Sequence, residues 1–78
     1  MYILEQIPVE FFEQTMSGIV ERDITAHLPG RVKVMGVSWK ASLYDLDGSY
    51  ILSPDTPVTV LGRRGNTLLV LPAATSDQ

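Results

Sequence analysis

The sequence contains no cysteine, and this absence removes several classes of function at once. Disulfide frameworks, thiol nucleophiles and cysteine-based zinc sites are excluded together. A small chain without such cross-links is typical of a reducing compartment. Because the chain also has one histidine, the ligands of a structural zinc site are lacking. We therefore expect neither a metal ion nor a cofactor.

Long hydrophobic runs are also missing. No apolar segment approaches the roughly 20 residues that a membrane-spanning helix needs. The first six residues lack the basic region of a secretory signal. The sequence therefore predicts a soluble, cytoplasmic chain that does not itself span a membrane.

The sequence has few basic residues. A protein that binds nucleic acid mainly through phosphate contacts usually has more. The 78 residues carry a net charge of −3 and suffice for one small domain. Residues 1–30 hold five carboxylates and one cation, whereas residues 31–78 hold five cations and four carboxylates. The acidic total thus conceals a mildly cationic C-terminal part, and nucleic-acid binding stays an open alternative.

Residues 1–17 are predicted to form a short helix or an extended arm. Pro8 suits a first helical turn, Glu10 suits the positive end of the helix dipole, and Ser17-Gly18 would end the helix. Its apolar side comprises Phe11, Phe12 and Met16. Membrane contact is one interpretation, but surface-seeking helices carry Lys or Arg, which this segment lacks. The favoured interpretation is a cover over the open end or edge of a sheet.

From Gly18 onward the hydrophobic pattern has a period of two, which is typical of β-strands. Five short strands are predicted, at residues 19–24, 31–35, 37–43, 58–61 and 67–71. Met35-Gly36 marks a tight turn, and residues 62–66 form a glycine-bracketed hairpin loop. Strands of this number and spacing predict an all-β fold, a small closed barrel over residues 18–72 with a frayed tail at 73–78.

The hairpin of the second and third strands separates into two faces. Its predicted inward row is Val32, Val34, Val37, Trp39, Ala41 and Leu43. Its predicted outward row is Arg31, Lys33, Ser38, Lys40 and Ser42. The parity of Trp39 favours packing in the core over stacking on a base. Tyr44 has outward parity and is the better candidate for exposed stacking.

Evidence for catalysis is thin. His27 lies in an apparent loop near Asp23 and Thr25, so a hydrolase with His27 as its base is a third functional alternative. A lone loop histidine is more often solvated, and no nucleotide-binding fingerprint occurs. Residues 45–48 start like a calcium loop, but Thr56 stands where a bidentate glutamate is required. We expect a polar turn there and no enzymatic activity.

The stretch from residue 18 to residue 72 resembles the soluble C-terminal domain of the NfeD family. Five motifs carry the resemblance, in the order Gly18-Ile19-Val20, Gly30-Arg31-Val32-Lys33-Val34, Gly36-x-x-Trp39-x-Ala41, Val58-Thr59-Val60 and Gly65-Asn66-Thr67-Leu68-Leu69-Val70-Leu71-Pro72. Each motif is weak alone, but their order and spacing together are moderately specific.

The resemblance implies an OB-fold, a five-stranded Greek-key β-barrel. It also implies a protein-interaction module, with a stomatin- or flotillin-type membrane scaffold as the partner and recruitment to the membrane through that partner. The protease domain of the long family members has no counterpart in this sequence. The resemblance therefore implies no catalytic activity.

Exposed cations and one tyrosine are the candidates for the interface, since Arg and Tyr are over-represented among interface anchors. The candidate partner-binding residues are Arg31, Lys33, Lys40, Tyr44, Arg63 and Arg64. The same face and loops would serve the alternative function, single-stranded nucleic-acid binding. Self-association through Leu61 and residues 68–71 is also open. The oligomeric state is not predicted.

Overall fold

Five β-strands close into a barrel in the computed structural model, which describes residues 8–44 and 51–73. The strands are β1 (Val9–Arg22), β2 (Gly30–Val34), β3 (Val37–Leu43), β4 (Pro57–Arg64) and β5 (Thr67–Pro72). Around the barrel they follow the order β1-β2-β3-β5-β4, and β4 pairs with β1 to close it. All neighbours are antiparallel except β3 and β5, which are parallel. The predicted all-β, five-stranded OB-like barrel is confirmed.

Alternation along the strands fills the barrel interior with aliphatic side chains. The buried cluster comprises Val20, Ile24, Val32, Val34, Ala41, Leu43, Leu52, Val58, Val60, Leu68 and Val70. Partly buried side chains at its margin are Phe12, Met16 and Ala26. Among the described residues no polar side chain is buried. Removal of these aliphatic groups from water therefore drives closure of the barrel.

The helix predicted for the N-terminal segment is wrong over residues 9–17, which form the first half of β1. Phe12 and Met16 lie four residues apart, a spacing that one face of a helix and one face of a strand both allow. The strand prevails because β4 pairs with β1 from Val9 to Ile19. Ser17-Gly18, predicted to end the helix, therefore lies inside a strand.

The two tight hairpins differ in how well they were predicted. Met35-Gly36 forms the expected turn between β2 and β3, with φ angles of 52° and 81° that match the turn type favoured in two-residue hairpins. The loop predicted at 62–66 is shorter, because residues 62–64 continue β4 between β1 and β5. Only Gly65-Asn66 make the turn, with Gly65 at a φ of 62°.

Strand β1 passes β4 very closely at Gly62. A Cβ atom at this position would overlap the carbonyl oxygen of Glu10 and lie 2.8 Å from the Cα of Phe11. A side chain here would therefore push the two strands apart. Glycine at residue 62 allows the first half of β1 to remain in the barrel's hydrogen-bond ladder.

The inward row predicted for the β2–β3 hairpin holds along β2 and in the second half of β3, but it fails in the first half of β3. Val32, Ala41 and the other inward residues near them are buried, but Val37 is 53% exposed and Trp39 is 39% exposed. Strand β5 pairs only with residues 41–43 of β3. The first half of β3 therefore extends beyond β5, and the prediction that Trp39 packs in the core is wrong.

Some predictions concern residues outside the described parts of the chain. These are the apolar residues at 1–7, the calcium-like stretch at 45–48, Tyr50 and the tail at 74–78. Within the described parts, no helix has the length and apolar character needed to cross a bilayer.

Candidate functional site

Four cations lie in register on the outer face of the barrel. Arg22 of β1 lies opposite Arg31 of β2, and Arg31 lies opposite Lys40 of β3. Strand β5 lies between β3 and β4. Its Thr67 lies opposite Arg64 of β4 and comes one residue before Leu68, which pairs with Ala41 of β3. We call Arg22, Arg31, Lys40 and Arg64 the cationic row. Its members lie on four strands, and β5 separates Lys40 from Arg64.

Two of these cross-strand pairs place like charges directly opposite each other. Antiparallel partners have Cα atoms about 4.5–5.5 Å apart, and like charges at that spacing are unfavourable. Arg31 is held by a neutral group: its Nε donates to Ser38 Oγ at 2.8 Å and its Nη2 donates to Ser38 O at 3.3 Å. The folded barrel therefore contains a charge repulsion among Arg22, Arg31 and Lys40 that its folding does not require.

The row borders two adjacent grooves on the barrel surface. The larger, with a volume of about 470 Å³, lies between the β1–β2 loop (residues 23–29), the end of β3 and the β4–β5 turn. Lys40, Tyr44 and Arg64 are among its lining residues. The smaller groove, about 160 Å³, is lined by Arg22, Pro29, Gly30, Arg31 and Lys40. Because Pro29 and Lys40 line both, the two grooves meet beside the β1–β2 loop.

The β1–β2 loop is held by its own hydrogen bonds. Thr25 Oγ1 accepts from the backbone N–H of His27 at 3.3 Å and of Leu28 at 3.1 Å. The Thr25 N–H donates to the carbonyl of Leu28 at 3.0 Å. Ile24, just before, exchanges two backbone hydrogen bonds with Leu52. The loop wall of the larger groove is thus pre-formed, which reduces the entropy that a ligand must remove on binding.

The floor of the larger groove includes an apolar residue on the outer side of the barrel. Leu69 is 6% exposed yet lies outside the interior cluster. It lies opposite Gly62, which in turn lies opposite Phe11. The rings of Phe11 and Tyr44 meet edge to face, with centroids 5.7 Å apart and an interplanar angle of 78°. Tyr44 is therefore half-exposed, and the edge-to-face contact of its ring with Phe11 holds it at the groove.

Two candidate interface cations form ion pairs instead of facing the grooves. Lys33 Nζ lies 3.6 Å from Glu21 Oε2, and Arg63 Nε donates to Glu10 Oε1 at 3.0 Å. Among the residues the structure describes, these are the ion pairs present, and neither involves Arg22, Lys40 or Arg64.

The carboxylate of Glu21 offsets positive charge on the part of the β2–β3 hairpin that holds Lys33. A hydrogen bond from Ser38 is the main cause that lowers the pKa of Glu21. Burial opposes this effect, and the charges of Lys33 and Arg31 lower the pKa further. Glu21 stands at the register shift between Val20 and Arg22. The surface is therefore charge-compensated near Glu21, whereas no ion pair within residues 8–44 and 51–73 involves Lys40.

The structure thus separates the six predicted interface residues into two groups. Arg31, Lys40, Tyr44 and Arg64 line the adjoining grooves, whereas Lys33 and Arg63 are paired elsewhere. Arg22 was missed, because its place opposite Arg31 depends on an irregular register between β1 and β2. Phe11 was missed as the partner of Tyr44, because it was assigned to a helix.

His27 lies at the exposed wall of the larger groove. Its nearest sequence neighbour with a hydroxyl, Thr25, uses that oxygen to accept bonds from the loop backbone. In residues 8–44 and 51–73 no hydrogen bond joins the His27 imidazole to a hydroxyl or carboxylate. The groove therefore presents charge and shape, and this part of the chain shows no nucleophile–base pair.

A small closed barrel with a grooved, charged outer face and a pre-formed loop defines a binding domain. Comparison with known families specifies it further. Residues 16–72 match the family model described as NfeD-like C-terminal, partner-binding domain. The match covers well over half of the sequence, so the chain belongs to this family, and the resemblance drawn from its motifs is confirmed.

Among solved structures, the chain is similar to the C-terminal domain of stomatin operon partner protein 1510-C from Pyrococcus horikoshii. The two share 24% sequence identity with a TM-score of 0.62, over 77% of this chain and 86% of that one. This likeness supports the barrel fold. A search of curated proteins finds no match.

Proposed function

We propose that this domain is a non-catalytic interaction module that binds a stomatin- or flotillin-type membrane scaffold protein. The observation that carries the proposal is the match of residues 16–72 to a partner-binding domain family. The similar solved domain, described as belonging to a stomatin operon partner protein, supports the scaffold class. The domain would act in the cytoplasm and reach the membrane through this partner.

The surface chemistry supports binding to a protein. The grooves offer three arginines, a lysine and a half-exposed tyrosine beside a loop that is already ordered. Arginine and tyrosine are over-represented in the residues that dominate interface energies. A pre-formed loop also limits the conformational entropy lost on association. These features suit recognition and require no chemistry.

The absence of catalysis is part of the proposal. A general base needs an orienting partner and a reacting group within hydrogen-bond reach. The described part of the chain provides neither for His27. We therefore expect no hydrolytic activity that His27→Ala would abolish.

Single-stranded nucleic-acid binding is the second candidate, favoured by one observation. The cationic row crosses β2 and β3 and reaches the two loops that OB-folds use for oligonucleotides. Such sites also stack successive bases on aromatic side chains. Here Tyr44 is the aromatic residue lining the grooves, and its ring already contacts Phe11. The protein partner is therefore preferred.

The test is a direct titration of the purified chain with purified stomatin-type and flotillin-type proteins from the same source, by calorimetry or biolayer interferometry. A 20-nucleotide single-stranded DNA and RNA are titrated in parallel. Saturable binding of either scaffold, without comparable oligonucleotide binding, supports the proposal. No binding to both scaffolds, or binding to the oligonucleotides alone, overturns it.

A further inference from the structure

We propose that the partner is recognised through an extended acidic segment that lies along the cationic row and fills the two adjoining grooves. This inference rests on the proposed function, since it names the chemistry of the partner at the same surface. It adds Arg22 to the binding residues and removes Lys33 and Arg63 from them.

The charge distribution carries the first step. The chain as a whole is acidic, with a net charge of −3. Nevertheless Arg22, Arg31, Lys40 and Arg64 line two adjoining grooves, and two pairs among them are directly opposed. Like-charge pairs weaken a sheet, and local conflicts of this kind concentrate at functional sites. Carboxylates from a partner would relieve the repulsion on binding.

The length of the row carries the second step. From Arg22 to Arg64 the surface crosses four strand spacings: β1 to β2, β2 to β3, β3 to β5, and β5 to β4. At about 4.8 Å per spacing the row measures roughly 19 Å. An extended peptide advances about 3.3 Å per residue, so roughly six residues cover it. Because the barrel is closed, this path is curved, and a short segment of the partner must bend along the two grooves to reach every cation of the row.

The side chains present carry the third step. Guanidinium groups bind carboxylates through two parallel hydrogen bonds, and Arg22 and Arg64 stand at the two ends of the row. Lys40 stands where the grooves meet. Leu28 and Leu69 also line the larger groove. The fitting segment thus combines acidic residues with at least one apolar side chain placed toward the larger groove.

The same observations favour a peptide over a nucleic acid. Oligonucleotide sites combine a positive channel with several stacking rings, whereas apolar Leu28 and Leu69 accompany one tyrosine here. Acidic residues also lie near the row: Asp23 follows Arg22, and Glu21 precedes it. A phosphate backbone along the whole row would approach these carboxylates, whereas a peptide can place neutral residues there.

The test uses fluorescence polarisation with a labelled eight-residue peptide, terminally blocked, that contains four glutamates and two leucines. A matched peptide carries glutamines in place of the glutamates. We expect the acidic peptide to bind and the glutamine peptide to bind at least about ten-fold more weakly, since charge-assisted contacts are lost. Equal binding of the two peptides overturns the inference, as does no binding of the acidic peptide.

Variants of the chain assign the site. Arg22→Ala, Lys40→Ala and Arg64→Ala are each expected to weaken peptide binding about three- to ten-fold, and Lys40→Glu more strongly. Lys33→Ala and Arg63→Ala are the matched controls, with an expected change below about two-fold, because these cations lie in ion pairs outside the row. Equal losses in both sets would overturn the inference. All five positions are exposed or at the surface, and circular dichroism verifies the fold of each variant.

The same variants titrated with the scaffold protein separate this inference from the proposed function. Scaffold binding that is unaffected by Lys40→Glu retains the proposed function and overturns the acidic-segment inference. Acidic-peptide binding that depends on the row, without any scaffold binding, supports the inference and overturns the scaffold as the partner. Oligonucleotide binding that competes with the acidic peptide and exceeds it in affinity overturns the choice of a peptide ligand.

Discussion

Arg31 and Lys40 lie directly opposite each other on β2 and β3, and both belong to the cationic row on the outer face of the barrel. Arg31 is held by Ser38 and has Glu21 nearby, whereas Lys40 lines both grooves. Both members of this unfavourable pair therefore line a groove, and Lys40 is the one shared by the two grooves. Stability and binding are expected to respond to Lys40 in opposite directions.

Replacing Lys40 with threonine is expected to stabilise the domain. The change removes a cross-strand repulsion and introduces a residue that suits an exposed strand, so the free energy of unfolding should rise by about 0.2–1 kcal/mol. Lys33→Thr is the control on the same hairpin, and it loses the exposed pair with Glu21 at a cost of about 0–1 kcal/mol. Urea denaturation measures both. A Lys40→Thr variant that is less stable than the parent contradicts the repulsion.

Gly62→Ala is expected to destabilise the barrel by about 1–3 kcal/mol, because its Cβ would overlap the backbone of β1 and force the strands apart. Gly36→Ala is an informative comparison, since residue 36 has open space around it and a φ of 81°. Its cost of about 1–2 kcal/mol arises from backbone strain alone. Two-dimensional NMR distinguishes them: shifts in Gly62→Ala should spread through β1, and those in Gly36→Ala should stay at the turn.

Trp39→Ala is expected to cost about 1–3 kcal/mol, below the 3–5 kcal/mol typical of a fully buried tryptophan. The reason is that β5 does not extend along the first half of β3, so the indole remains 39% exposed. Ile24→Ala, at a fully buried position, should cost about 2–5 kcal/mol. Thermal unfolding compares the two. A loss at Trp39 of about 3–5 kcal/mol would place the indole in the core after all.

Glu21 makes the stability of the domain depend on pH in the acid range. Its pKa in the folded state is lowered, so the unfolded chain binds the proton more readily and the stabilisation is fully present only above the ordinary value of 4.5. As the pH falls through the lower folded pKa, this stabilisation disappears. Glu21→Gln should therefore flatten part of the decline between pH 5 and pH 3, measured as urea midpoints. Parallel curves for parent and variant would refute a role for Glu21.

Local patterns were sufficient to predict the strands but not their limits. Period-two alternation predicted the limits of β2 and β3 to within one residue, and Met35-Gly36 predicted the turn between them. The spacing of Phe12 and Met16 fits both a helix and a strand, and only the pairing with β4, far away in sequence, decides between them. The same distant pairing extended β4 through residues predicted to be a loop.

The candidate site was predicted in part for a similar reason. Alternation placed Arg31 and Lys40 on one face, as observed. Whether a cation is free or paired depends on which acid of β1 faces it, and that follows from the register of β1 with β2 and β4. Lys33 and Arg63 were therefore assigned to the interface although they pair with Glu21 and Glu10.

The long first strand also bears on when the barrel can form during synthesis. Glu10 bonds to Arg63, 53 residues later in the chain, so the first half of β1 leaves the ribosome long before its partner strand exists. Until β4 emerges, Phe12 and Met16 have no sheet to complete. Distant pairings of this kind slow folding. The β2–β3 hairpin, with its short-range contacts, is the element able to form first, and the barrel cannot close until β4 and β5 have been synthesised.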